Sequence, residues 1–411
     1  MTAPAPRRIL LADADAFFVA IARLDDPEGA GRAELLIVGG SPQGRGVVTS
    51  ASYEVRRYGV RSGMPMARAV RLCPRAMVTP VPRGLCSAKS REIRAVLERW
   101  APTVASASID EWYLDLDGTE ALYGHEPLAA TARRIREAVI EATGLSVSLG
   151  GGTSRLVAKL AVERAKPKPG TGATGVHVVE PGGEAAFLAT VELAEIPGVG
   201  PKLQERLHRH GLRTVPDALA CDLPALVRAT GSERSARWLR DRARGVDESP
   251  VAERGEAKSI SRDETFAHDL HDDAALEREL WRLVVRAAGD LRAAGHRART
   301  VTVRVRDADF TTRQASRTLP EAVETDGAIG RVAGELLVRL RKARRVGARL
   351  VGVSLSGFDA AAQPQLTLFA PAEPPLETPR DRDVTRAVEA VRARFGRDGL
   401  VPGKMIGKKG R

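Results

Sequence analysis

Two acidic clusters interrupt apolar runs in the first third of the sequence. Ile9-Leu10-Leu11-Ala12 ends in Asp13-Ala14-Asp15, and a second run, Ala105 to Leu116, contains Ser108-Ile109-Asp110-Glu111. A carboxylate in a buried strand is costly unless it is paired or bound to a cation. Two strands side by side would gather Asp13, Asp110 and Glu111, and such hard oxygen donors suit Mg²⁺. Two ions about 3.5–4 Å apart can activate an attacking 3′-oxygen and stabilise a leaving pyrophosphate. A solvated strand-end turn would explain either cluster alone; both clusters in one basic chain favour the metal reading. Neighbours on a regular strand face opposite sides, so Asp110 and Glu111 reach a shared ion only if the strand bends there.

These acids need elements to hold them. Ile9–Ala12 reads as a buried strand, Ala105–Leu116 as a second, and Leu145–Leu149, followed by Gly150-Gly151-Gly152, as a third. Leu128–Thr143 has helical spacing and stops at Gly144, a favourable C-terminal cap. Lys166-Pro167-Lys168-Pro169-Gly170-Thr171-Gly172 breaks any regular element and marks a boundary. A helical region follows to about Gly245, and the polar stretch Val246–Ala257, with Pro250, reads as a linker. From Lys258 to Phe358 the pattern is strand, helix, strand, strand, helix, strand. The strands are Ser259–Phe266, Thr300–Asp307, Ala315–Leu319 and Leu350–Ser356; the helices are Ala274–Arg292 and Ala328–Arg345. That order is found in ferredoxin-like sandwiches. Gln363–Pro375 is rich in Ala and Pro and should be extended. Val384, Val388, Val391 and Phe395 then repeat at helical spacing, and the Arg380–Phe395 segment has no role that the sequence explains.

Composition narrows the classes. At roughly 100–200 residues per domain, 411 residues allow two to four domains. The net charge is +12, and all but ten of the 64 basic residues are Arg, the side chain best shaped for bidentate phosphate contact. A chain so basic is expected to meet a polyanion. No run approaches the roughly 20 apolar residues that span a bilayer, so no membrane is expected as a partner. The apolar run from Ile9 stops at Asp13, too soon for a signal peptide. Cys73, Cys86 and Cys221 are widely spaced, which fits a reducing cytoplasm better than a disulfide framework or a structural zinc site.

Three blocks carry a family resemblance. Asp13-Ala14-Asp15-Ala16-Phe17-Phe18, Ser52 to Pro65 (SYEVRRYGVRSGMP) and Ala107-Ser108-Ile109-Asp110-Glu111 resemble the signature blocks of Y-family translesion DNA polymerases, the bacterial DNA polymerase IV type most closely. The match runs in order over about residues 7–358. It implies an α+β fold in the form of a right-hand polymerase. A ferredoxin-like palm would take residues 1–20 and 82–172, with small fingers at 21–81. A helical thumb would follow at 173–245, a linker at 246–257, a β-α-β-β-α-β little finger at 258–358 and a tail at 359–411. The resemblance further implies two Mg²⁺ ions held by Asp13, Asp110, Glu111 and the main-chain carbonyl of Ala14. Phe18 matches the ring that rejects a ribose 2′-hydroxyl by collision, although an adjacent core aromatic such as Phe17 looks the same in sequence. Tyr53, Arg56 and Lys166 match residues that grip the triphosphate, where positive charge stabilises the developing pyrophosphate. Thr49 and Ala51, with Gly63-Met64, would form a thin roof over the new base pair. The chain departs from the family at Ala22, where a Glu is usual, and at Ala12 and Trp112.

Two further regions suggest contact with DNA. Ile196-Pro197-Gly198-Val199-Gly200-Pro201-Lys202 resembles a helix-hairpin-helix hairpin, with Gly198, Gly200 and Lys202 facing phosphate; a plain interhelical turn is the alternative. Thr300–Arg306 alternates, placing Val301, Val303 and Val305 on one face and Thr302, Arg304 and Arg306 on the other. The polar face, joined by Ser259, Ser261, Ser354 and Ser356, could lie along a DNA backbone or simply be solvated. Gln365-Leu366-Thr367-Leu368-Phe369 looks like the peptide that docks bacterial polymerases on the sliding clamp, through Gln365, Leu366, Leu368 and Phe369; an intramolecular pocket could also take it. The leading expectation is a monomeric, low-fidelity DNA polymerase without proofreading that uses primer-template DNA and deoxynucleoside triphosphates. An inactive adaptor of polymerase shape is the rival, and a helix-hairpin-helix repair enzyme a third reading that leaves the other blocks unexplained.

Overall fold

The computed structural model describes residues 6–168, 170–253, 255–360, 375–396 and 399–405. It divides into two compact units, Met1–Arg254 and Gly255–Arg411. Gln365–Phe369 lies outside the described residues.

The first unit opens with β1 (Ile9–Ala14) and α1 (Phe17–Asp25), then a small subdomain of β2 (Leu36–Gly39), β3 (Val48–Ala51), α2 (Tyr53–Arg56), α3 (Met66–Leu72) and β4 (Met77–Thr79). The chain continues through α4 (Arg83–Leu97), β5 (Thr103–Ser106), β6 (Glu111–Asp115), α5 (Leu128–Thr143), β7 (Val147–Gly152), α6 (Arg155–Ala165) and β8 (Val176–Val178). Five strands form one sheet in the order β5-β6-β1-β7-β8, with β1 antiparallel to both neighbours. Ile9, Leu10 and Leu11 in β1 are fully buried because both faces of the sheet are covered. Leu10 packs with Ile93, Leu97, Ile135 and Val139 of α4 and α5, whereas Ile9 and Leu11 pack with Ala158 and Val162 of α6. The alternation of β1 side chains between two apolar layers explains why this strand reads as a continuous apolar run.

Three expectations for this unit are corrected. The run Ala105–Leu116 is not one strand but a tight hairpin: β5 and β6 pair antiparallel, Ala105 opposite Tyr113, and residues 107–110 form the bend. Apolar residues on both arms hid the turn. Residue 172 is not the end of the first sheet, because β8 pairs parallel with β7 beyond it. Nor is the segment from Val246 a loose linker. Val251 is buried against Ile9, Leu11, Ala105 and Tyr113, the Asp247 carboxylate accepts the Leu156 amide at 2.9 Å, and Arg155 donates to the Pro250 carbonyl at 3.1 Å. A polar strap can dock on a sheet when its charges find partners, which composition alone does not reveal.

Short helices follow β8: α7 (Glu184–Leu188), α8 (Pro201–Arg209), α9 (Val215–Ala220), α10 (Leu223–Thr230) and α11 (Glu233–Ala243). Pro201 opens α8 with Gly200 as its cap, as the sequence suggested. Gly198 has φ 104°, and a Cβ there would lie 2.7 Å from the Trp238 ring, so both backbone conformation and packing require glycine.

The second unit contains β9 (Ser259–Leu270), α12 (Asp273–Ala293), β10 (His296–Asp307), β11 (Thr312–Val323), α13 (Asp326–Ala343), β12 (Ala348–Ala360) and α14 (Pro379–Phe395). The order of elements is the expected one, with longer strands. The sheet runs β11-β10-β12-β9, so its second and fourth strands are central, whereas a ferredoxin-like sandwich centres the first and third. Val301, Val303 and Val305 are fully buried among α12 and α13 residues. Thr302, Arg304 and Arg306 share the other face with Ser354 and Ser261, as their register demands.

Candidate active site

The acids meet where β1 ends and β6 begins. Asp13 lies directly opposite Glu111 in the antiparallel register, and the Ala14 amide donates to the Asp110 carbonyl at 2.9 Å. Opposed residues in such a pair stand about 4.5–5.5 Å apart at Cα. Asp110 occupies the bend just before β6, so it is freed from strict strand alternation, and its carboxylate accepts from the Ser108 hydroxyl. The bend that the two adjacent acids require is therefore present.

Asp13 is 6 % exposed and Glu111 partly so. Burial pushes the Asp13 carboxyl up to about 7, against the pull of Lys166. Lys166 Nζ lies 2.8 Å from Asp13 and 2.6 Å from Glu163. Burial alone would lower the Lys166 ammonium, but Asp13 and Glu163 outweigh it and hold it above its ordinary value. Lys159 Nζ lies 2.5 Å from Glu111 and 4.0 Å from Asp13.

Both lysines come from α6 and its C-terminal end. That helix lies against β7 at close range, because a Cβ on Gly150 would meet the Val162 nitrogen at 2.1 Å and the Ala158 oxygen at 2.3 Å. The Ser154 hydroxyl accepts the Val157 amide and Asp247 accepts the Leu156 amide, so two of the free donors at the start of α6 are satisfied. Burial would raise the Asp247 carboxyl, but Arg242 at 2.7 Å and the Ser249 hydroxyl hold it below its ordinary value. Lys159 and Asp247 were missed in the sequence. For Lys159 the available signal was its seven-residue spacing from Lys166, which returns to the same helix face; for Asp247 there was none.

The remaining residues surround this point. Asp15 accepts from the hydroxyls of Ser146 and Ser148, each at 2.7 Å, and so braces the turn into α1. Ala16, in that turn, has φ 46°, a left-handed conformation uncommon for a residue with a Cβ. Phe17 is buried in the core while Phe18 is partly exposed, the two rings meeting edge to face at 5.3 Å. Arg56 stacks its guanidinium 4.7 Å from the Tyr53 ring centre and donates to the Ala51 carbonyl. Burial, and after it the charge of Asp15, raises the Tyr53 hydroxyl above its ordinary value. Ala22 is buried with Val19, Ala30, Leu36 and Val38, an apolar setting in which a carboxylate would have been costly. Gly63 and Met64 bond to Val48 at the edge of β3, so the expected roof residues share one structure.

The donor chemistry fits Mg²⁺: carboxylates on Asp13 and Glu111, opposed across the register, and on Asp110 in the adjoining bend, all of them hard oxygen donors. An ammonium between Asp13 and Glu111 marks that spot as favourable for positive charge. Among the described residues no three His, Cys, Asp or Glu side chains converge as metal ligands; lysines engage Asp13 and Glu111, and the Asp110 carboxylate takes the Ser108 hydroxyl.

Comparison with known proteins decides the family. Residues 12–163 match the impB/mucB/samB family, residues 257–368 its C-terminal domain and residues 181–212 the associated HHH motif. DNA polymerase IV of Methanoculleus marisnigri is 40% identical over 366 residues, covering 88% of this chain and 97% of that protein. The chain belongs to the Y-family DNA polymerases. DNA polymerase IV of Dehalococcoides mccartyi strain CBDB1 is 34% identical over 97% of both chains. Among solved structures, a Y-family chimera of Dbh and Dpo4 matches with a TM-score of 0.75 and 25% identity, over 85% of this chain and 98% of the other. An insertion ternary complex of Dbh DNA polymerase matches with a TM-score of 0.59 at the same identity.

Proposed function

We propose that this Y-family member is a translesion DNA polymerase that extends a primer 3′ end with deoxynucleotides by two-metal nucleotidyl transfer. The observation that carries the proposal is Asp13 opposite Glu111 in the β1–β6 register, with the Asp110 backbone bonded to Ala14 in the adjoining bend. Two Mg²⁺ ions held by these carboxylates and the Ala14 carbonyl would supply activation of the 3′-hydroxyl and charge stabilisation of the departing pyrophosphate. Lys166, Arg56 and Tyr53 would receive the triphosphate; Lys166 exchanges its bond to Asp13 for a phosphate oxygen as the anion enters. Phe18 would lie under the sugar of the incoming nucleotide. Asp15 and its serines hold the turn that presents both Asp13 and Phe18. An inactive adaptor has no observation in its favour, since all three carboxylates are retained.

Primer-template DNA would be held through the hairpin at Gly198, Gly200 and Lys202 and through the outer face bearing Thr302, Arg304 and Arg306. The exposure of Lys202 and the hydroxyl-rich register around Thr302 support that assignment. Clamp docking through Gln365–Phe369 and a monomeric state belong to the same proposal. So does a cytoplasmic location, supported by three free cysteines, two of them buried. No helix among the described residues is long and apolar enough to cross a membrane.

The test is primer extension with Mg²⁺ on plain and lesion-containing templates, comparing wild type with Asp110→Ala. Extension of both templates by wild type and its loss, by on the order of 1,000-fold or more, in the variant are expected. Equal activity of the two proteins would remove Asp110 from the metal site.

A further inference from the structure

Lys159 is the feature that the proposed chemistry leaves without a task. Its ammonium bonds Glu111 at 2.5 Å and stands 4.0 Å from Asp13, while Lys166 takes Asp13 and Glu163. The position is not a chance rotamer of a loose surface lysine. Only about a quarter of the Lys159 side chain is exposed. Its helix is fixed from two directions, by the close approach to Gly150 and by Ser154 and Asp247 at its start.

Two carboxylates facing one another across adjacent strands, one of them buried, repel each other unless positive charge lies between them. Lys159 supplies that charge from within the chain. A divalent cation needs the same oxygens, and it cannot share them at bonding distance with an ammonium without strong like-charge repulsion.

We propose that Lys159 is a resident counter-ion of the Asp13–Glu111 pair: it offsets the repulsion between the two carboxyl groups and holds them adjacent in the metal-free protein, and it must release Glu111 when a divalent cation binds. Lys159 thereby acts as a positioning residue that sets metal affinity. Three predictions separate this role from a structural one. Removing the charge tightens metal binding, lowers the stability of the metal-free protein, and enlarges the stabilisation that metal confers. A lysine needed only for packing would move stability but leave metal affinity where it was. This inference rests on the carboxylates being metal ligands.

The experiment uses the full chain without DNA or nucleotide and Mn²⁺ as the probe, with free Mn²⁺ counted by its paramagnetic resonance signal. Lys159→Met keeps the length of the stem without the charge and should bind Mn²⁺ about 10-fold more tightly than wild type. Lys159→Arg, which retains the charge, should stay within about twofold of wild type. Thermal unfolding with and without Mg²⁺ gives the second reading, with a larger metal-induced rise expected for Lys159→Met. If that variant does not fold, Lys159→Gln carries the same expectations. Wild-type or weaker Mn²⁺ affinity in the neutral variants overturns the counter-ion role. Asp13→Asn should abolish Mn²⁺ binding; undiminished binding by that control would instead overturn the metal site, and the counter-ion role with it.

Discussion

Phe18 is held by packing rather than by hydrogen bonds. Phe17 anchors in the core beneath it, and the edge-to-face contact at 5.3 Å limits where the Phe18 ring can turn. A ring fixed in this way can exclude a 2′-hydroxyl because it cannot move aside at low cost. Phe18→Ala should therefore admit ribonucleotides, reducing discrimination on the order of 100-fold while deoxynucleotide incorporation continues. Steady-state incorporation of matched ribo- and deoxyribonucleotides measures the ratio, and an unchanged ratio would remove Phe18 from this role. The sequence left Phe17 and Phe18 equivalent. Burial separates them, because the start of α1 turns one ring toward α4 and α5 and leaves the other partly open.

Among the elements, α14 acquires a place that its sequence did not suggest. Its apolar residues do little to dock it: Val384 and Phe395 are 55 % and 67 % exposed. Charge does more. Arg292 bonds Glu389 at 2.6 Å, Arg392 bonds Asp326 at 3.0 Å, and Glu377 just before the helix accepts the amides of Glu324 and Thr325 at 2.9 and 3.0 Å. Burial would raise the Glu377 carboxyl, but those amides and Arg382 hold it below its ordinary value. A carboxylate lowered in the folded protein adds stability above its unfolded value and loses it as pH falls through the lower, folded one. Glu377→Gln should accordingly cost about 2 kcal/mol at pH 7. The gap should begin to narrow near pH 4.5, the ordinary value, and close further below it. Denaturant unfolding of the full chain at several pH values checks this, and a gap that is constant with pH would show that charge is not the cause.

For the whole molecule, the basic excess must be read through where it is placed. Many arginines are consumed internally: Arg313 and Arg344 both bond the fully buried Asp307, and Arg341 bonds Asp273. A net charge of +12 therefore overstates what faces a polyanion. On the outer face of the second unit, Arg306 donates to Thr312 at 2.9 Å and Arg304 lies 3.7 Å from Asp263, so both are partly engaged but remain at the surface. DNA binding should weaken steeply with salt. Changing Arg304 and Arg306 to Ser should reduce the slope of log affinity against log salt by about one for each phosphate no longer neutralised. Fluorescence anisotropy across a salt series measures it; an unaltered slope would take these residues off the DNA. Deleting Gln365–Phe369 should separately remove clamp-stimulated synthesis and spare basal synthesis, as seen in primer extension with and without clamp. Loss of both would assign the peptide to folding.

Local chemistry in the sequence was enough for much of this. Asp13 at the end of an apolar run, the helix from Leu128 to its cap at Gly144, and the alternation of Thr300–Arg306 are determined by short-range periodicity and capping, which neighbours along the chain supply. The division of Ala105–Leu116 into a hairpin was not, because two apolar strands with a polar bend between them resemble one longer strand with acids inside it. The strap at 247–251, the assignment of α6 lysines to the carboxylates and the use of Asp247 as a cap were likewise decided only on folding. Each depends on which distant charge a side chain meets, and electrostatic pairing between residues far apart in sequence leaves no periodic trace along the chain.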